Sequence, residues 1–359
     1  MASQKSWYEV YFWLLVLVLT VSVATAYLLR FPWRAPHEPL AEFFIQEMTE
    51  KPFVYRVLPW LWSEFARLVV PLSPMVYHGA LMAASLFGFT VALRVLGQHF
   101  WGVSRAVDYL VLFSIPLMIL LSLDQQHTYD LPMLCLFTWG MVCIIQQRWT
   151  AFLVCYTIAC FNKETTIFLT CIFLACCNQH NTSGRFMRLL AMQLSIYAIS
   201  RIALMYIFRH NPGSPAPYTL PFTLEVYQHY LLKTGAYLVG IALVGALIAY
   251  RLREKPAFLV KAFFAAFIPT LFLFLLSGYP YEIRVFYEVY PLILLLCVPP
   301  RYAQLWDRVA AWKISTLFSS PARPHTMPPT AVWRASRRSA LRRASRATGS
   351  GRRRPGRAN

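Results

Sequence analysis

Lys163 and Glu164 stand side by side with apolar sequence on either flank, Phe152 to Phe161 before them and Ile167 to Cys177 after. A charge in hydrocarbon is costly, so ionisable residues at membrane depth face a water-filled cavity, pair with one another or carry function. Three further groups have the same chemical range. The first is His37-Glu38, Glu42 and Tyr55-Arg56. The second runs Asp124-Gln125-Gln126-His127-Thr128-Tyr129-Asp130. The third is Tyr279-Pro280-Tyr281-Glu282-Ile283-Arg284, leading into Phe286, Tyr287, Glu288 and Tyr290. Together they supply cations, carboxylates and aromatic faces. Arginine binds phosphate oxygens with a planar fork and lysine binds them as a point charge. A carboxylate can take the proton of a sugar hydroxyl as general base. Aromatic faces suit sugar rings.

Each group also has a plainer reading. On a helix, adjacent side chains point about 100° apart, so Lys163 and Glu164 do not pair directly. Each needs another partner, such as Asp124, Asp130 or Arg284, and a purely structural ion pair is one outcome. Glu282 and Arg284 share a face only in extended backbone and can form a loop salt bridge. Tyr55-Arg56 can be an interface anchor with a snorkelling arginine. One His and two Asp around residues 124–130 do not make a metal-ligand pattern, and a hydrogen-bonded helix start fits Thr128 and Asp130 better.

The elements that must position these groups are apolar. The 359 residues are 58% hydrophobic and 14% charged, against roughly 25% charged in a soluble domain. The apolar residues form long runs, which indicates an all-α, polytopic transmembrane helix bundle. About ten spans can be drawn: Val10–Leu29, Pro74–Leu96, Ala106–Leu123, Tyr129–Ile145, Thr150–Phe161, Thr165–Cys177, Phe186–Phe208, Tyr230–Tyr250, Phe258–Ser277 and Val285–Val298. The first has no small-residue cleavage site and reads as a span or signal anchor. The two pieces flanking Lys163 are short and read as a re-entrant pair or tilted half-spans.

Short loops rich in Lys and Arg lie on the cytoplasmic side. With Lys5 inside, the alternate loops hold Arg94 and Arg105, Arg148, Arg185 and Arg188, then Arg251, Arg253, Lys255 and Lys261. The opposite face receives nearly all the acidic residues and all four groups above. Its first external loop, residues 30–73, is expected to be partly helical, with Pro39–Met48 as a short amphipathic helix in the interface. Its second, residues 209–229, is expected to be extended. Residues 1–312 then form one multi-span membrane domain, with both termini cytoplasmic.

The net charge of +19 is unevenly placed, because Pro321–Asn359 hold 11 arginines and no acidic residue. Residues 313–359 read as a disordered Arg-rich tail able to meet anionic lipid. A basic folded groove is missing, which excludes a nucleic-acid reader. The eight cysteines all fall in apolar runs without CxxC spacing and read as small apolar helix residues.

At the level of layout and short motifs, residues 1–305 resemble the polytopic GT-C type glycosyltransferases that use polyprenyl-phosphate sugars, and in particular their bacterial relatives. The motifs are Tyr55-Arg56-Val57-Leu58-Pro59 closing the first external loop, Tyr129-Asp130-Leu131-Pro132, Lys163-Glu164-Thr165 and Glu282-Ile283-Arg284. The resemblance implies sugar transfer from a polyprenyl-phosphate donor on the external face of a bacterial inner membrane. It implies a catalytic base in the first loop, Glu38 or Glu42. The family's Asp-x-Asp or Asp-Asp pair is absent there, which leaves a divalent metal cofactor an open question. It further implies that Arg56, Lys163 and Arg284 hold the donor phosphate, with Tyr55, Asp124, Asp130, Glu164 and Glu282 around the sugar and the cations. The partners it implies are the lipid-linked sugar donor and membrane lipids. A glycan polymerase or ligase acting on diphosphate-linked oligosaccharide, and a transporter or flippase of lipid-linked glycans, are the rival classes.

Overall fold

The structure, a computed structural model, describes residues 2–29, 50–102, 104–121, 127–177, 183–214, 218–229, 231–278 and 283–298. These fall within one compact unit, Met1–Ala310. The Pro39–Met48 helix, Glu38, Glu42, Asp124, Glu282 and the tail 313–359 lie outside the described residues. Among the described residues the secondary structure is helical, with a single isolated bridge, Lys51 to Gly213, in place of strands.

The helices are α1 Ala2–Leu29, α2 Leu58–Val69, α3 Pro74–Trp101, α4 Arg105–Leu121, α5 Asp130–Ile145 and α6 Trp149–Cys160. They continue with α7 Ile167–Cys177, α8 Ser183–Ile207, α9 Leu220–His229, α10 Leu231–Ala249, α11 Ala257–Ser277 and α12 Tyr290–Cys297. Each of the ten apolar runs carries a helix. Four segments are long and apolar enough to cross a membrane: Trp7–Ala26, Met75–Trp101, Gly184–Ile207 and Ala257–Ser277. Among the described residues there are thus four such helices with shorter apolar ones among them, and the expectation of about ten spans is met in part. The reason is length. Helices α6 and α7 have 12 and 11 residues, and at about 1.5 Å per residue neither reaches across a hydrocarbon core of about 30 Å.

Two helices arise in segments expected to be loops, α2 in residues 30–73 and α9 in 209–229. Both carry proline in the first turn, Pro59 and Pro221. Proline breaks a helix interior but suits its start, where the missing N–H has no intrahelical partner. Helix α3 shows the same punctuation, with Pro74 at its first position and Gly102 in a left-handed-side conformation (φ +77°) just beyond its end.

Helix α5 is the buried centre. Leu131, Met133, Leu134, Phe137 and Met141 on it have no exposure, as expected for a helix apolar on all sides. It packs most extensively on α3. Gly88 permits the approach: a Cβ there would stand 2.8 Å from Cys135 Sγ, and Trp139 Nε1 donates to the Gly88 carbonyl at 3.0 Å. On the other side of α5, Gly140 faces Leu169 of α7. Small residues at such crossings bring helix backbones together. Helix α12 runs alongside α3 in the same direction, since Tyr290 meets Phe89 and Leu295 lies by Gly97.

The periphery is the reverse of the centre. Helices α1, α8, α10 and α11 expose Leu14 and Val18, Ile199 and Ile202, Ile241 and Leu243, and Ile268 and Phe272. Large apolar side chains facing outward along α1, α8 and α11, which hold segments of membrane-crossing length, and along the shorter apolar stretch of α10 fit a membrane protein. Helix α2 is amphipathic: Leu61, Phe65, Leu68 and Val69 form an exposed apolar stripe. Glu64 and Arg67 pair at 2.9 Å on the other side. Its 12 residues hold to the bundle through α3, with Trp62 Nε1 donating to the Tyr77 carbonyl at 2.9 Å.

Candidate functional site

Four chain segments converge where α5 and α7 begin. They are the turn before α2 with Arg56, the turn 127–130, the turn 161–166 between α6 and α7, and the turn 283–289 before α12. Their meeting is fixed by backbone bonds as well as charges. Leu58 N–H donates to the Phe161 carbonyl at 3.2 Å, and Asn162 Nδ2 donates to the Tyr129 carbonyl at 2.8 Å.

Tyr129 is the hub. Both Arg56 and Arg284 donate to its hydroxyl, the latter at 3.1 Å. The Arg56 guanidinium also lies over the Tyr129 ring, 4.1 Å from its centroid. His127 stacks between Phe53 and Tyr129, with ring centroids 5.4 and 5.0 Å away. An arginine held over an aromatic face by a neighbouring stack loses little rotamer freedom when it takes up a ligand.

Three cations meet three carboxylates around this hub. Arg56 pairs with Glu164 at 2.8 Å, Lys163 with Glu288 at 2.9 Å, and Arg284 with Asp130 at 3.3 Å. Lys163 also reaches Asp130 at 4.0 Å. Thr165 Oγ1 donates to Glu288 Oε1 at 2.5 Å. The side chains of Asp130 and Glu288 are wholly buried, whereas that of Glu164 is 33% exposed. Charges taken this far from water persist only when paired and hydrogen-bonded.

Lys163 and Glu164 thus part company and pair with different partners. Lys163 points inward to Glu288 and Glu164 outward to Arg56. The more open half of the pair is Glu164. The extended backbone at Lys163 (φ −158°, ψ 147°) just ahead of the turn Glu164–Thr166 splits their directions.

Of the other residues singled out, Tyr55 turns away from the charges. It packs with Val54, Val57 and Leu204 in a small apolar cluster beside the site. Glu38, Glu42, Asp124 and Glu282 lie outside the described residues. Three contributors were not singled out as site residues from the sequence. Glu288 was seen only as part of an aromatic run, and Tyr129 only as the start of a motif. Arg201 sits inside the apolar helix α8, where a lone charge was itself a signal. It donates to the Cys160 carbonyl and lies within electrostatic reach of Glu164. One turn earlier on α8, Tyr197 donates to the Glu164 carbonyl at 3.1 Å.

Among the described residues several buried polar atoms have no hydrogen-bond partner: Arg56 Nε, Arg201 Nε, Asn162 Oδ1, Glu164 Oε2 and Glu288 Oε2. Such atoms are rare in a closed core, and here they cluster. Outside the spans, His127 is held neutral. Burial first, then the nearby Arg284, Arg56 and Lys163, push its imidazole well below the ordinary histidine range. Among the described residues no group of three His, Cys, Asp or Glu side chains is placed to hold a metal ion. The eight cysteines are free thiols.

Comparison of the chain with protein-family models, with curated proteins and with solved structures finds no match.

Proposed function

We propose that the chain is an integral-membrane glycosyltransferase that moves a sugar from a polyprenyl-phosphate donor on the external face of a bacterial inner membrane. The observation that carries this reading is the convergence of Arg56, Lys163 and Arg284, from three separate turns, on Tyr129 and Asp130. Guanidinium and ammonium groups in a poorly hydrated site bind phosphate far more strongly than in water, and they need no reorganisation when charge develops on the leaving phosphate. Tyr129, Phe53 and His127 offer ring faces next to those cations. The apolar outer stripe of α2, which begins two residues after Arg56, fits a helix lying in the interface. It would keep Arg56 at the depth of lipid phosphates. Glu38 or Glu42 serves as the base that deprotonates the acceptor hydroxyl. Asp130 and Glu288 position the cations.

The test is transfer of radiolabelled sugar from polyprenyl-phosphate sugar in inverted and right-side-out membrane vesicles. Glu38→Gln with Glu42→Gln should abolish transfer, and full activity in the double variant would remove both as base. Arg56→Gln and Arg284→Gln should each lower kcat/KM by at least about 100-fold, the scale of one lost charge-assisted contact to the developing anion.

One observation favours a second reading. Every described carboxylate at the site is already held by a cation. A polymerase or ligase acting on lipid diphosphate-linked glycan uses the same cations with no carboxylate base. Activity that is lost in the arginine variants but kept in the Glu38, Glu42 double variant selects it.

A further inference from the structure

Of the three carboxylates at the site, one differs. Asp130 and Glu288 are fully buried, and each is approached by Lys163 together with a second donor, Arg284 or Thr165. Glu164 is one-third exposed and uses a single oxygen, Oε1, on Arg56. Its second oxygen has no partner, and neither has Arg56 Nε. One turn along α8 from Tyr197, which bonds the Glu164 carbonyl, is another guanidinium, Arg201, which acts electrostatically on Glu164 and whose buried Nε is also without a partner among the described residues. Arg201 is held in place by the Cys160 carbonyl. Arg56 itself does not depend on Glu164 for its position, because Tyr129 bonds it and both Tyr129 and Phe53 lie under it.

An anion binding Arg56 with Glu164 still in place would meet a like charge within hydrogen-bonding distance, which works against binding. Moving the carboxylate removes that repulsion, and a second cation with an open donor is ready to take it. We infer that Glu164 is an exchangeable counter-ion: it occupies Arg56 in the empty site and transfers to Arg201 when the phosphate of a lipid-linked substrate takes its place. This rests on the proposed reading of the site as a phosphate binder and adds the residue that regulates it. The buried arginine thereby stays paired when no substrate is bound, and the substrate phosphate is selected for its ability to outcompete a tethered carboxylate. Exchange involves no bond making or breaking beyond hydrogen bonds. The backbone of the turn stays anchored by Tyr197 on the Glu164 carbonyl.

Binding of farnesyl phosphate and of inorganic phosphate to the full chain in phosphatidylcholine nanodiscs tests this directly. Glu164→Gln keeps the shape and removes the competing charge. Its Kd for farnesyl phosphate should fall about ten-fold, equivalent to about 1.4 kcal/mol. Arg201→Met removes the receiving cation and should raise Kd by about ten-fold. The double variant should bind like Glu164→Gln alone, since there is no carboxylate left to receive. Arg56→Gln should lose binding. Equal affinity in wild type and Glu164→Gln, or in wild type and Arg201→Met, overturns the exchange. The Arg201→Met comparison stands alone should Glu164→Gln not fold. Inorganic phosphate bound as tightly as farnesyl phosphate would overturn the lipid-linked part of the inference. Exchange observed in protein that transfers no sugar would break the glycosyltransferase reading and leave the counter-ion intact.

Discussion

The bundle has an ionic cluster at each end of α3, and the two are built differently. Near the end of α3, Arg94 spends all three of its nitrogens. Nε bonds Asp108 of α4 at 2.7 Å, while Nη1 and Nη2 clasp Glu9 of α1 at 2.9 and 2.8 Å. Phe12 and Trp13 lie within 4.5 and 5.1 Å of the guanidinium, and Tyr8 donates to the other oxygen of Asp108 at 2.9 Å. One cation thus ties three helices with close, directional contacts. At the other end, the cluster around Tyr129 has contacts that stretch to 3.3, 3.5 and 4.0 Å, and five of its polar atoms lack partners. A saturated clamp has little left to offer a ligand, whereas a partly satisfied network has donors in reserve. Under the proposed function, the difference marks the Arg94 clamp as structural and the Tyr129 cluster as the place for a ligand.

The largest expected effect comes from the deepest pair. Lys163→Met leaves the fully buried Glu288 without its main cation and should destabilise the protein by about 3–5 kcal/mol. Adding Glu288→Gln should recover most of that loss, because the uncompensated charge is gone. Thermal unfolding in detergent reads both. Recovery of stability with no recovery of sugar transfer is the result that assigns Lys163 to binding as well as to structure. Recovery of both would put Lys163 and Glu288 on the same footing as the clamp.

Arg94→Met should cost about 3 kcal/mol, somewhat less, because Glu9 is 45% exposed and regains water while Asp108 stays buried. Transfer per folded molecule should be unchanged. A loss of kcat in the folded fraction would show that the clamp is coupled to the site through α3, and the contrast between the two ends would fail. Glu164→Gln should be milder still, at about 1 kcal/mol or less, since its side chain is one-third exposed and Gln can accept the same bond from Arg56. A penalty as large as that of Lys163→Met would make Glu164 a fixed strut.

The sequence was legible where one physical signal dominates. Long apolar runs have to become helices in a membrane, since only helices satisfy their own backbone there, and each of the ten runs carries one. The short length of the two runs flanking Lys163 was legible as well, and α6 and α7 close after 12 and 11 residues. Helices α2 and α9 were hidden because Pro59 and Pro221 read as loop markers, and only the position of a proline within the first turn tells the two cases apart. At the site, Arg56, Asp130, Lys163, Glu164 and Arg284 stood out as charges at the ends of apolar runs, and they do come together. The pairing scheme did not show, because it depends on the backbone turn at Lys163 and on which carboxylate reaches furthest inward. Glu288 was masked by the aromatics around it, and Arg201 by the apolar helix that carries it.

The smallest effect is a pH dependence confined to the Tyr129 end. His127 is buried and faces Arg284 and Arg56, which bond its stacking neighbour Tyr129, and Lys163 from the 161–166 turn. Burial and these cations hold its imidazole well below the ordinary range, so the folded protein keeps it neutral where the unfolded chain would protonate it. The unfolded state therefore binds more protons below about pH 6.5, and stability is fully present above that value and declines as pH falls, by at most about 1.4 kcal/mol per pH unit. Unfolding temperatures should drop between pH 7.5 and 5.5 in the wild type, and His127→Gln should flatten that slope without moving the value at pH 7.5 by more than a few degrees. Arg94→Met should leave the slope as it is, because the clamp contains no histidine. An unchanged slope in His127→Gln would mean that the imidazole takes up its proton in the folded protein as readily as in the unfolded chain, and the burial and neighbouring cations would then not act on it.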